Sequence, residues 1–180
     1  MIIVWNIPEQ KVVHKLSSLQ NRPVCVQWVP HERNTLSFIS LEGPLCLWRT
    51  AQEGVTVHKE ACHFNYHTRI FRWNPKQAGK LALGHTDGSI SMINPGQKTR
   101  KHELHLDEEM SSSDDNPVQN MEWDPLSQDY ILVTYLQGRM KLIDSNTLTV
   151  ITQYSLPSAA ARVKTLSWIH NAPGMFITGG

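Results

Sequence analysis

Apolar residues along this chain fall in short runs, each closed within a few residues by Gly, Pro, Asn or Asp. Val24-Cys25-Val26-Gln27-Trp28 is one such run, and Ile131-Leu132-Val133 is another with no polar alternation at all. Runs of this length, rich in β-branched and aromatic residues and bounded by turn formers, predict strands rather than helices. The expected strands are 2–5, 11–16, 24–28, 36–41, 45–48, 55–59, 70–73, 81–84, 89–93, 101–104, 118–123, 131–135, 140–143, 150–154, 163–168 and 175–178. Only 159–166 has helical propensity; the repeat described next places a loop and a strand there, entered at Pro157.

The strands recur as a phrase. The run ending in Trp28 returns at Trp73, Trp123 and Trp168, and the first three of these are followed by any residue and then Pro. Their spacings are 45 (28 to 73), 50 (73 to 123) and 45 (123 to 168), a period that marks a repeat architecture. Within each phrase one distance is fixed: Trp28 to Trp48, Trp73 to Ile93 and Trp123 to Ile143 are all 20 residues. Variation is confined to the next connection, which is 25 (48 to 73), 30 (93 to 123) and 25 (143 to 168). Glu42-Gly43, Asp87-Gly88 and Gln137-Gly138 stand at the same tight hairpin, where Gly supplies positive φ. A rigid hairpin core with elastic outer connections suits the four-stranded blades of a propeller, whose strands are buried on both faces.

The phrase Trp-x-Pro, a β-run, then Asp87-Gly88-Ser89-Ile90-Ser91-Met92-Ile93-Asn94 resembles the WD-repeat family of β-propellers. Trp5-Asn6, Trp48-Arg49, Ile93-Asn94 and Ile143-Asp144 stand where that family has Trp-Asp, and none keeps both residues. The resemblance implies a structural tetrad of loop His, strand Ser or Thr, hairpin Asp and strand Trp. Asp87 fits the hairpin place and His63 or His67 the loop place, while Ile93 replaces the Trp and Glu42 replaces the Asp before Trp48. The expected fold is all-β, a partial WD-repeat propeller of four-stranded antiparallel blades, about two full blades plus two half blades. The spans are a half blade (strands c and d) at 1–16, blade units at 24–59, 69–104 and 118–154, and a half blade (strands a and b) at 163–180. Joining the ends would then give three blades, below the usual four to eight, so the chain reads as a segment of a larger propeller or a truncated isoform. Trp28, Trp73, Trp123, Trp168, Trp48, Trp5, Asp87 and Gly88 are the expected structural anchors.

Charge adds little direction. With 17 basic and 16 acidic residues the net charge is +1, so no nucleic-acid or membrane partner is expected. Three cysteines, Cys25, Cys46 and Cys62, form no C-x-x-C pair and read as reduced thiols of a cytoplasmic or nuclear protein.

Catalytic chemistry finds no template. His102-Glu103-Leu104-His105 has H-x-x-H rather than zinc-protease spacing, and on a strand its two histidines face opposite sides. Ser111 to Ser113 follow no nucleophile elbow, and Gly84-His85-Thr86-Asp87-Gly88 lacks the Lys of a phosphate loop. No catalytic residue, metal or cofactor is expected.

One segment stands apart. Residues 107–116 carry five carboxylates and no apolar residue except Met110, and they lie in the lengthened connection. Ser111 and Ser112 each have Asp three residues on, a pattern acidophilic kinases accept, so this loop is a candidate for phosphorylation or partner contact. The function expected is a non-enzymatic scaffold whose loops bind other proteins, with self-association through open blade faces. The alternatives are a small-molecule-binding or catalytic propeller, and a truncated product that is not stable alone.

Overall fold

The computed structural model describes residues 1–40, 43–58, 67–95, 102–104, 117–156 and 162–180. The acidic segment with Ser111 and Ser112, along with Glu42, Cys62 and His63, lies outside these residues.

All regular structure described is antiparallel β. β1 (Ile2–Asn6) and β2 (Lys11–Leu16) form a two-stranded sheet. β3 (Pro23–Trp28), β4 (Thr35–Ser40), β5 (Leu45–Arg49) and β6 (Thr56–His58) form a four-stranded one. β7 (Thr68–Trp73), β8 (Leu81–His85), β9 (Ile90–Ile93) and β10 (His102–Leu104) form the next. β11 (Val118–Trp123), β12 (Tyr130–Tyr135), β13 (Arg139–Asp144) and β14 (Thr149–Ser155) follow. β15 (Thr165–Trp168) and β16 (Phe176–Gly179) close the series. Each sheet is a meander, so the blade order a-b-c-d follows chain order. Three blades are therefore complete, one more than the expected count. All three repeats of the four-strand phrase pair fully, and with the two halves the chain carries the equivalent of four blades.

The repeat is carried by register as well as by spacing. Leu36 pairs with Trp48, Leu81 with Ile93 and Ile131 with Ile143, each b residue lying eight after its anchor Trp. The residue after each anchor Trp closes the a–b turn: Val29 N to Thr35 O, Asn74 N to Lys80 O, Asp124 N to Tyr130 O and Ile169 N to Met175 O, at 2.8–3.0 Å. Asn74 Oδ1 also accepts from the N–H groups of Lys76 and Gln77, and Asp124 Oδ1 from that of Leu126. These side-chain acceptors are why Asn and Asp serve at this turn. Gly88 and Gly138 adopt φ of 88° and 78° at the b–c hairpins, as the hairpin positions require.

The core is a set of slabs between neighbouring sheets. Ile2 packs with Leu36, Phe38 and Trp48. Val29, Ile39 and Leu45 meet Phe71, Trp73 and Leu81. Ile70, Ile90 and Met92 meet Val118, Met121, Trp123 and Ile143. Leu132 meets Leu166 and Trp168. Strands b are buried on both faces, β8 throughout and β12 in all but Tyr130, which explains their lack of alternation. The outermost strand β14 is almost wholly exposed.

Candidate interaction surface

Neighbouring blades are joined by one device used three times. The indole of Trp123 donates Nε1–H to the carbonyl of Arg72 (3.1 Å), and that of Trp168 donates to the carbonyl of Glu122 (3.2 Å). Arg72 and Glu122 each immediately precede the anchor Trp of the blade before. Trp73 reaches the corresponding carbonyl, that of Gln27, through a hydroxyl: Trp73 Nε1–H donates to Ser37 Oγ (2.7 Å), which donates to Gln27 O (2.7 Å). The side chains of the same residues add a second link. Gln27 Oε1 accepts from Trp73 N (3.0 Å), and Glu122 Oε2 accepts from Trp168 N (3.2 Å). Arg72 instead spans the joint, donating to Phe71 O and to Asn120 Oδ1.

Glu122 makes its joint pH-sensitive. Burial pushes its carboxyl above the ordinary value, while the Trp168 N–H bond and the charges of Arg72 and His170 pull it down less strongly. A raised folded-state value means that the folded chain holds the proton more tightly than the unfolded one. Its contribution is therefore most favourable below the ordinary carboxyl value of 4.5 and is lost as pH rises through the raised value. Glu122→Gln keeps an acceptor for Trp168 N and removes the titration. The stability of the variant relative to the native chain should thus increase from pH 4 to pH 7. Urea denaturation across that range giving a constant difference would contradict this.

The expected anchors separate into two groups. Trp48, Trp73, Trp123 and Trp168 are buried, with 4–8% exposure. Trp28 and Trp5, in contrast, are 49% and 61% exposed, because among the described residues no strand lies against their outer faces. β3 consequently alternates, with Val24, Val26 and Trp28 outward. At the other end β15 and β16 leave Thr165, Ser167 and Ile177 open.

The tetrad implied by the resemblance is replaced by a different network. Asp87 Oδ1 accepts from Ser89 N (3.0 Å) and Ser89 Oγ (2.6 Å), so it caps its own hairpin. His67 is exposed. Among the described residues a histidine is buried at His85, whose Nδ1 lies 3.2 Å from Thr68 Oγ1 and whose Nε2 lies 2.7 Å from Ser91 Oγ. It links strands a, b and c of one blade with no exposed surface of its own. A sequence signal for it existed: His85 ends the two-sided apolar run Leu81 to Gly84, three residues before the hairpin glycine. Fully enclosed, this Ser–His pair has no path to a substrate. Among the described residues no group of His, Cys, Asp or Glu is arranged to hold a metal ion.

A cavity of about 640 Å³ opens where the inner strands converge, lined by Val24, Val26, Arg69, Arg72, Thr86 and Gln119. It adjoins the exposed face of β3, so one guanidinium-bearing hollow and one apolar strip form a continuous surface. On another side of the same blades, the a–b turn of one reaches the next. Lys76 Nζ donates to Leu126 O, Asn74 Nδ2 to Gln128 O and Lys80 Nζ to Asn146 Oδ1. Burial lowers the Lys80 pKa against the opposing charges of Asp129 and Asp144, with its Nζ 5.5 Å from the centre of the Trp123 ring.

No family model matches the chain. Among solved structures it is similar to the β-propeller domain of Cps50 (Swd1) from Myceliophteria thermophila, with a TM-score of 0.72 and 14% identity. The match covers 94% of this chain and 52% of that one, so the chain spans about half the length of that propeller domain. The likeness is one of fold: the chain is a partial β-propeller.

Proposed function

We propose that this chain is a non-enzymatic protein–protein interaction scaffold, part of a WD-repeat propeller that presents surfaces to other proteins. The observation that carries the reading is the continuous surface formed by the outward face of β3 and the adjoining cavity. It places Val24 and Val26 in solvent beside Arg69, with Trp28 exposed further along the same strand. Exposed aromatic and aliphatic side chains next to an arginine are the composition of interface centres. The blades supply rigidity, since three successive joints are clamped by an anchor indole, two directly to a main-chain carbonyl and one through the Ser37 hydroxyl.

Several phrases support a narrower kinship. Gly43-Pro44-Leu45, Phe71-Arg72-Trp73, Glu122-Trp123-Asp124-Pro125-Leu126-Ser127 and Ala172-Pro173-Gly174-Met175 resemble WD repeat-containing protein 17. A cytoplasmic or nuclear setting accords with Cys25 and Cys46 standing outside any disulfide.

The cavity gives the small-molecule alternative its one supporting observation, because its volume falls within the range of ligand sites. Affinity capture with the tagged chain from cell extract separates the two. The scaffold reading expects a defined set of other proteins, retained through washing and depleted by Arg69→Glu. Retention of no other protein, with saturable binding of a small molecule that Arg69→Glu abolishes, would transfer the function to the alternative.

A further inference from the structure

Successive inner strands break register at the same place. The ladder of β3 with β4 skips Val24 between Pro23 and Cys25, and that of β7 with β8 skips Arg69 between Thr68 and Ile70. The ladder of β11 with β12 skips Gln119 between Val118 and Asn120. Each skipped residue lies four before its anchor Trp and is the extra residue of a β-bulge. A bulge leaves that residue outside the pairing and re-aims its side chain. All three of these residues line the cavity of about 640 Å³. The next inner strand follows suit. Lys164 stands four before Trp168, and its N–H donates to Gly179 O (2.8 Å), the residue that pairs with Thr165.

The charge of this hollow is uncompensated. Arg69 has no hydrogen-bond or ion-pair partner among the described residues. Arg72 is held by Phe71 O (3.0 Å) and Asn120 Oδ1 (3.3 Å), neither of them a carboxylate. Of the neighbouring acids, Asp87 gives its Oδ1 to Ser89, and Glu122 gives its Oε2 to Trp168 N. Gln119 Oε1 is buried with no hydrogen-bond partner among the described residues. Arg69, Arg72, Thr86 and Gln119 belong to two blades that each have another sheet on both sides in the chain, so neither the first nor the last strand creates this lining.

We propose that the row of bulged residues binds an acidic peptide segment of a partner protein, with Arg69 and Arg72 taking the oxyanion of its carboxylate or phosphate. The proposal rests on the protein-interaction reading above and names the chemistry of the partner. Guanidinium groups match such oxyanions through paired N–H donors. A row that crosses three blades is longer than one anion, and Gln119 brings an acceptor that an oxyanion cannot satisfy. An extended peptide supplies both needs. Its acidic side chain meets the arginines, and a main-chain N–H meets Gln119 Oε1 once the amide turns about its soft terminal torsion. Lys164 receives a further acid along the same segment.

Fluorescence anisotropy with a labelled oligoglutamate peptide tests this on the 180-residue chain. Binding should saturate, weaken as salt rises, and fall about tenfold or more in Arg69→Gln, the loss of one charge-assisted contact. Gln119→Glu, which sets a carboxylate in the row, should weaken it as well. Lys76→Gln, at the a–b turn, should leave it unchanged. All three variants should unfold in urea as cooperatively as the native chain. A phosphoserine version of the peptide separates the sources: tighter binding assigns the site to phosphate, and equal or weaker binding assigns it to carboxylate. Absence of saturable binding by either peptide overturns the proposal, as does binding that Arg69→Gln and Gln119→Glu leave unaltered. If the tagged chain then still captures a defined set of proteins, the scaffold reading stands while this one falls.

Discussion

Trp73→Ala is expected to cost about 3–5 kcal/mol of unfolding free energy, the range for deleting a buried aromatic from a packed core. Trp73 is 4% exposed, packs with Ile39, Leu45 and Phe71, and donates to Ser37 Oγ. Its removal opens a cavity between two blades and takes away the indole link, leaving the bond from Trp73 N to Gln27 Oε1 and the remaining apolar contacts. Trp28→Ala should cost about half as much or less, because an indole 49% exposed has given up far less contact with water. The comparison is made by urea denaturation at concentrations where the chain is monomeric. Equal losses at the two positions would show that the repeat position alone, and not the opposing blade face, sets the energy.

Gly84→Ala should also destabilise the chain, although it adds a single methyl. A Cβ built there would stand 2.6 Å from Val118 Cγ1, 2.9 Å from Val118 Cβ and 3.0 Å from Ile70 Cγ2. Both neighbours are core residues, Val118 fully buried, and one of the close atoms is a Cβ fixed to its backbone. Overpacking of this kind costs about 1–3 kcal/mol. The cause is the closeness of strand b to the next blade's strand a, so the loss should be partly recovered in Gly84→Ala/Val118→Ala. Two residues in contact are expected to couple, and a double variant whose loss is the plain sum of the single losses would refute the steric account.

Much of this architecture was legible in the residues. The 20-residue interval from Trp28 to Trp48, Trp73 to Ile93 and Trp123 to Ile143 is the a–b–c register itself, eight residues to the b partner and twelve more to the c partner. It could be counted because the connections inside it are tight turns with no freedom to vary. The run Ile131-Leu132-Val133 declared two-sided burial directly.

What stayed hidden depends on neighbours far away in sequence. Nothing local distinguishes Trp28 from Trp73; they differ only in whether a receiving carbonyl faces them. Asp87 satisfies its own hairpin through Ser89, two residues on, before any longer-range partner can compete. His85 then takes the buried polar place, because it lies opposite Thr68 and within reach of Ser91.

The indole bonds between blades have an evolutionary corollary. For Trp123 and Trp168 the receiving group belongs to the main chain, so the side chain at that position can be Arg72 or Glu122 and the indole bond is still made. At these two joints only the donor is written in sequence, and the acceptor comes with the inner strand. Blades built on this asymmetry can drift apart in composition and still interlock. A chain with 14% identity to another propeller can thus superpose on it closely while sharing hardly any of its side chains.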